Sequence, residues 1–218
     1  MKPRPSPRPE AAMALFEVGV VLAIVLLLAA VLLPALSRAE RKTSRIGCIN
    51  NLMQVDIAYR VWEGDNGDIF PMGISVATGG SREMAQTGNV VLNFQVMSNE
   101  LGTPKILCCP NDTNRTPSLD FPSLANSNVS YFVAVDTTNA LNPRALLSGD
   151  SNFEIKGVPM KSGLLSVWTN DPVTWSAARH VHDGNLGLAD GSAQAVTSAQ
   201  LPNIFEDTGV ETNRLAIP

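Results

Sequence analysis

The chain has 218 residues, with 16 lysine and arginine side chains against 20 aspartate and glutamate, a formal net charge of −4. Residues 1 to 45 hold seven basic and three acidic residues, net +4, which leaves 9 basic and 17 acidic in the remaining 173, net −8. An acidic globular part repels phosphate backbones and so disfavours nucleic acid as a partner. The roughly 150 residues beyond the first long helix suit one soluble core without an internal repeat.

From residue 18 to residue 37 (VGVVLAIVLLLAAVLLPALS), 20 consecutive residues are uncharged and mostly aliphatic. A helix of that length, at about 1.5 Å per residue, spans roughly the 30 Å hydrocarbon core of a bilayer, and the transmembrane part is placed at about residues 15–37. Glu17 stands at its front. A carboxylate in a membrane helix costs about 2.5 to 3.5 kcal/mol at the centre and less near an end, so this acid calls for a partner. An ordinary signal sequence, with Lys2, Arg4 and Arg8 as its basic region, fits less well. The apolar run exceeds the roughly 7 to 15 residues such sequences use, and residues 34–40 offer an indifferent cleavage site. Arg38, Arg41, Lys42 and Arg45 follow the span, so charge does not orient it.

Past Pro34, Cys48, Leu52, Val55, Tyr59 and Trp62 recur at alternating intervals of four and three on one helical face. Asp56, Arg60 and Glu63 line another, where Asp56 and Arg60 have the spacing of an i,i+4 ion pair. Gly64 and Asn66-Gly67 stop the pattern. One helix over residues 14–63 is predicted, roughly 75 Å long, with a bend or locally melted turn at Pro34, which has no amide hydrogen for the carbonyl of Ala30. Beyond it, residues 129–135, 144–148, 164–168 and 186–189 read as short strands between loops. Asp190-Gly191 reads as a two-residue type I′ hairpin turn. The expected fold class is α+β, a long N-terminal helix packed on a small antiparallel sheet.

His180-x-His182-Asp183 places both imidazoles on one side of a strand, where Cys108 or Cys109 would complete a zinc site. Asp65, Asn66 and Asp68, or Asp183, Asn185 and Asp190, offer the oxygen ligands that calcium prefers, without the spacing of a calcium loop. The blander readings are a histidine satisfied by local hydrogen bonds and ordinary turn chemistry. No G-x-S-x-G or G-x-x-x-x-G-K-[ST] occurs, so the sequence gives catalysis no support, although residue order alone leaves a Ser-His-Asp triad open.

The segment Ala12-Met13-Ala14-Leu15-Phe16-Glu17, the aliphatic run, Pro34 and Arg38-Ala39-Glu40-Arg41-Lys42 together resemble the prepilin-type N-terminal cleavage and methylation segment of type IV pilins and type II secretion pseudopilins. The resemblance implies a leader over residues 1–12, cleavage between Ala12 and Met13 and methylation of the Met13 amine. Ala12 and Met13 stand where the family usually has Gly and Phe. Arg45-Ile46-Gly47-Cys48-Ile49-Asn50-Asn51-Leu52 and Asp65-Asn66-Gly67-Asp68 with Phe70-Pro71 are similar to C-x-N-N-L and D-N-G-x-x-P segments of a large bacterial group of pseudopilin-like proteins. Cys109-Pro110-Asn111-Asp112 resembles that group's C-P-x-D segment, and His180 with Asp190-Gly191 its H-x9-D-G signature. Residues 73–105 carry no such match.

What the resemblance implies is a structural subunit rather than an enzyme: a helix over residues 13–63, a head over residues 64–218, and a single-pass anchor in a bacterial inner membrane with the head in the periplasm. Such a subunit assembles into a type II secretion pseudopilus or type IV pilus-like fibre. Its partners would be copies of itself and other pseudopilins, a prepilin peptidase, an assembly platform and an ATPase. Glu17 would neutralise the Met13 amine of a neighbouring subunit. A periplasmic head also permits a disulfide from Cys48 to Cys108 or Cys109, with Cys109 favoured because it aligns with the C-P-x-D segment. No cofactor is expected apart from calcium, which some major pseudopilins of the resembled family bind. The competing expectation is a membrane-tethered periplasmic binding or hydrolytic domain.

Overall fold

The computed structural model describes residues 9–218, and the side chains of all of these but residues 9–16, 35 and 37–42. Residues 1–8 of the expected leader therefore lie outside the described residues, as do the side chains of Ala12 and Met13. The chain divides into two compact units, Met1–Thr43 and Ser44–Pro218.

Helix α1 runs over Pro9–Asp65, 57 residues, and remains α-helical through Pro34. The locally melted turn expected there is absent. A proline removes one donor and crowds one carbonyl, a defect that local readjustment of a long apolar helix absorbs. Over the described residues the helix is already formed at Pro9, ahead of residue 14. Glu17–Pro34 is long and apolar enough to cross a membrane, and none of it is buried within the molecule.

In the second unit, Cys48, Leu52, Val55, Ala58, Tyr59 and Trp62 of α1 are buried, as their helical spacing requires. Asp56 and Glu63, on the other face, are buried as well. Arg60 pairs with Glu63 rather than with Asp56, because Asp56 points into the sheet, where it accepts from Ser148 Oγ at 2.6 Å. Residues 73–105 hold the short helices α2 (Arg82–Ala85), α3 (Val91–Val96) and α4 (Ser98–Leu101).

The strands that follow are β1 (Tyr131–Ala134), β2 (Leu146–Asp150), β3 (Phe153–Ile155), β4 (Val158–Pro159), β5 (Gly163–Trp168), β6 (Val173–Trp175), β7 (Asp183–Leu188) and β8 (Ala193–Thr197), then helix α5 (Leu201–Asp207) and β9 (Thr212–Ile217). They form two sheets instead of the single one expected: a six-stranded sheet in the order β5-β9-β1-β2-β7-β8 and a three-stranded sheet in the order β4-β3-β6. Every pairing is antiparallel.

Strand period two divides the core into halves. Val133, Leu147 and Ala216 face a cluster with Val55, Tyr59 and Trp62 of α1 and with Phe94 and Met97. Phe132, Leu146, Leu215 and Ile217 face another, with Phe153 and Trp175 of the smaller sheet and Leu201 and Phe205 of α5. The large sheet is thus covered on both sides, and β1 and β2 are buried along their whole lengths.

The turn between β7 and β8 departs from type I′. Gly191 has φ +86° while Asp190 keeps a negative φ, and Gly191 N donates to Leu188 O at 2.9 Å. Four residues, 189–192, separate the strands. This is the longer hairpin loop in which only the residue after the turn is left-handed, and a glycine takes it without strain. Asp190 Oδ1 accepts from both the amide and the hydroxyl of Ser192.

Candidate functional site

A buried cluster of sulfur, imidazole and paired charges lies where α1, the loop before β1 and the turn before β7 meet. Cys48, one helical turn before Leu52, is joined to Cys109 by a disulfide, with Cα atoms 4.9 Å apart. The two residues lie 61 positions apart in sequence, and closing such a loop restricts the unfolded chain by about 4 kcal/mol in the entropy model. Cys108 is the remaining free thiol and is buried. Its carbonyl accepts from Asn51 Nδ2 of the helix at 3.3 Å. Tyr131 of β1 donates its hydroxyl to Cys48 O at 3.3 Å. Burial, with Asp150 nearby, holds that phenol well above its usual pKa and keeps it neutral.

His180 rests against the disulfide. Its Nε2 is 3.6 Å from Cys109 Sγ, 3.4 Å from Asp150 Oδ2 and 3.5 Å from Asn185 Nδ2. Its Nδ1 is 3.2 Å from Asn111 Nδ2. Below the imidazole, Arg179 lies 2.6 Å from Asp112 and 3.6 Å from Asp150, and Arg115 stands 3.3 Å from Asp112. Ser130 Oγ donates to Asp112 Oδ2 at 2.8 Å while accepting from Cys109 N at 3.0 Å. Asp150 Oδ2 also takes the amide and side-chain nitrogens of Asn185 at 2.8 and 2.9 Å. Two arginines thus balance two aspartates, the condition under which buried charge is tolerated.

Segments far apart in sequence converge here. Cys109, Asn111 and Asp112 each touch a different element of the cluster: the helix, His180 and Arg179. The other end of the H-x9-D-G segment also reaches α1, since a Cβ added at Gly191 would stand 2.9 Å from Arg60 Cγ. Gly191 thus packs closely on the helix, while His180 adjoins it through the Cys48–Cys109 disulfide.

The sequence expectations are rearranged in three respects. His180 and His182 lie in the turn before β7, not on a strand, and Val181 and His182 both have positive φ. His182 is exposed and its Nδ1 sits 3.2 Å from Trp175 O, so the two imidazoles do not converge. The second calcium set is dispersed as well: Asp183 pairs with Arg45 at 2.7 Å, Asn185 is committed to Asp150, and Asp190 to its own turn. Asp65, Asn66 and Asp68 lie at the end of α1, where Asn66 Nδ2 donates to Trp62 O at 2.8 Å. Glu17 is exposed on α1. Asp112, Asp150, Arg115 and Arg179 make up the charged part of the cluster. Of these only Asp112 carried a sequence signal, through its place in the C-P-x-D segment.

Chemically the cluster is quiet in this state. Burial pushes the Cys108 thiol up, away from the reactive thiolate, and Cys109 has no free thiol to offer His180. Among the described residues, no serine or threonine hydroxyl bonds a histidine ring. No family model matches the chain, and no curated protein or solved structure matches it either.

Proposed function

We propose that the chain is a pilin-like structural subunit, anchored in a bacterial inner membrane by residues 15–37, which assembles through α1 into a pseudopilus or pilus-like fibre. The observation that carries this reading is an unused apolar face on the helix. Ile46, Met53, Ile57 and Val61 are 50%, 40%, 51% and 52% exposed, and their spacings of seven, four and four set them on one side of α1, away from Cys48, Val55 and Trp62. An apolar stripe on a helix whose other side already packs on a sheet is suited to a further helix. Glu17 supports the same reading. A lone carboxylate at the front of an uncharged span is costly, and a neighbouring subunit's Met13 amine would neutralise it, fixing axial register more than adding net stability.

A tethered binding or hydrolytic domain requires neither feature. Glu17→Gln and Ile57→Asp change only exposed positions, so both variants should insert and fold as the parent does. Crosslinking of membranes is expected to give a ladder of oligomers from the parent and to lose it in each variant. Unchanged ladders in both would leave the tether as the better account.

A further inference from the structure

The sulfur and nitrogen atoms at the centre of the cluster have a second use once the bond between the cysteines is open. Both sulfurs and a His180 ring nitrogen lie within 4.8 Å of one another, on three buried residues. We propose that the reduced head binds a zinc-class divalent ion through Cys48, Cys109 and His180, so that the same three side chains hold a disulfide in one redox state and a thiolate–imidazole metal site in the other. This does not depend on the assembly reading.

The distances suit such an ion. Zinc bonded to sulfur at about 2.3 Å and to nitrogen at about 2.0 Å, at a tetrahedral angle, separates the two ligand atoms by about 3.5 Å. His180 Nε2 already stands 3.6 Å from Cys109 Sγ. The sulfurs must move apart to about 3.8 Å to share a tetrahedral ion, a change within reach of side-chain torsions across a Cα separation of 4.9 Å. Two thiolates cancel the charge of a dication, while the neighbouring aspartates and arginines are already in balance. Two soft sulfurs and an imidazole select zinc and its relatives over calcium or magnesium. Asp150, whose Oδ2 is 3.4 Å from Nε2, could supply the fourth ligand.

The imidazole also has the support that a ligand requires. When Nε2 gives its lone pair to the ion, Nδ1 carries the proton and needs an acceptor. Asn111, 3.2 Å from Nδ1, supplies one when its amide turns over to present oxygen in place of nitrogen. Asn111 is thus a positioning residue. His182, turned to Trp175 O, takes no part. The redox step is a thiol–disulfide exchange with a dithiol: the Cys48–Cys109 bond breaks, the dithiol becomes a disulfide, and its two electrons and two protons pass to the cysteines. The ion then displaces both thiol protons to water.

The test uses the full-length protein in detergent, with cobalt(II) as the probe. Protein reduced by a water-soluble phosphine is expected to take up one equivalent of cobalt with a thiolate-to-metal charge-transfer band, which zinc abolishes and which oxidised protein never shows. Cys108→Ser should keep the band, Cys109→Ser and His180→Gln should weaken binding by about 100-fold or more, and Asn111→Ala by about 10-fold. Circular dichroism before and after reduction monitors folding. If His180→Gln does not fold, Asn111→Ala decides the imidazole's part. A reduced parent that unfolds and takes no cobalt overturns the proposal, as does a band that survives Cys109→Ser. Loss of the band in Cys108→Ser would also overturn it, because the metal would then sit on the adjacent cysteine pair.

Discussion

Asp56 shows what a single residue of α1 contributes. It is fully buried, with Oδ1 accepting from Ser148 and Oδ2 without a hydrogen-bond partner. Burial pushes its carboxyl well above the usual range; the Ser148 bond pulls the other way, and Asp190 adds to the rise. The folded protein therefore holds a proton that the unfolded chain releases near its ordinary value of about 3.9. Between that value and the raised folded one, stability falls as pH increases, because the native state binds more protons than the unfolded state. Asp56→Asn keeps the shape and the acceptor for Ser148 without the charge. Urea unfolding should show the parent, but not the variant, losing about 1.4 kcal/mol of stability per pH unit through that window. Below about pH 4, where both forms are neutral, the two should match.

The elements differ in how plainly the sequence announces them. The buried face of α1 was readable because one side packs and the other does not, so the apolar positions keep a helical period. Strand β9 was not. It lies between β5 and β1, and although burial alternates over its first four residues, Thr212, Asn213 and Arg214 are all polar, so the residue types show no alternation. Strands β3, β4 and β6 have two or three residues each, too few to show any period. At the site, Cys48, Cys109 and His180 stood out by residue type, but Asp150 follows Gly149 and resembles turn chemistry. Only the pairing of β2 with β7 brings it to His180.

Close approach between elements gives a sharper test than any propensity. A Cβ at Gly187 of β7 would stand 2.0 Å from Asp56 Oδ2, whereas one at Gly64, exposed near the end of α1, meets nothing within 4 Å. Gly187→Ala should lower stability by about 1 to 3 kcal/mol through overpacking. Gly64→Ala should raise it by about 0.4 to 1 kcal/mol by restricting the unfolded chain. Denaturant midpoints of the two variants check both signs, and a stable Gly187→Ala would mean that the helix and β7 are packed less closely than described.

At the scale of the whole molecule, the proposed function rests on what becomes of the N-terminus. An uncleaved chain carries Lys2, Arg4 and Arg8 ahead of Glu17 and has its only terminal amine at Met1, 16 residues before the acid. At about 1.5 Å per helical residue, cleavage after Ala12 brings an amine to within roughly 6 Å of the axial level of Glu17. A neighbouring subunit shifted by one helical turn could then set its amine against the carboxylate, and opposite charges at such range attract strongly away from water. On the proposed reading, processing is a condition of the register, not an accompaniment to it. Intact-mass measurement of protein extracted from membranes of cells with an active prepilin peptidase should give a chain beginning at methylated Met13, for the parent and for Glu17→Gln alike, while only the parent forms crosslinked oligomers. A parent chain still beginning at Met1 would remove the amine from the account and the assembly reading with it.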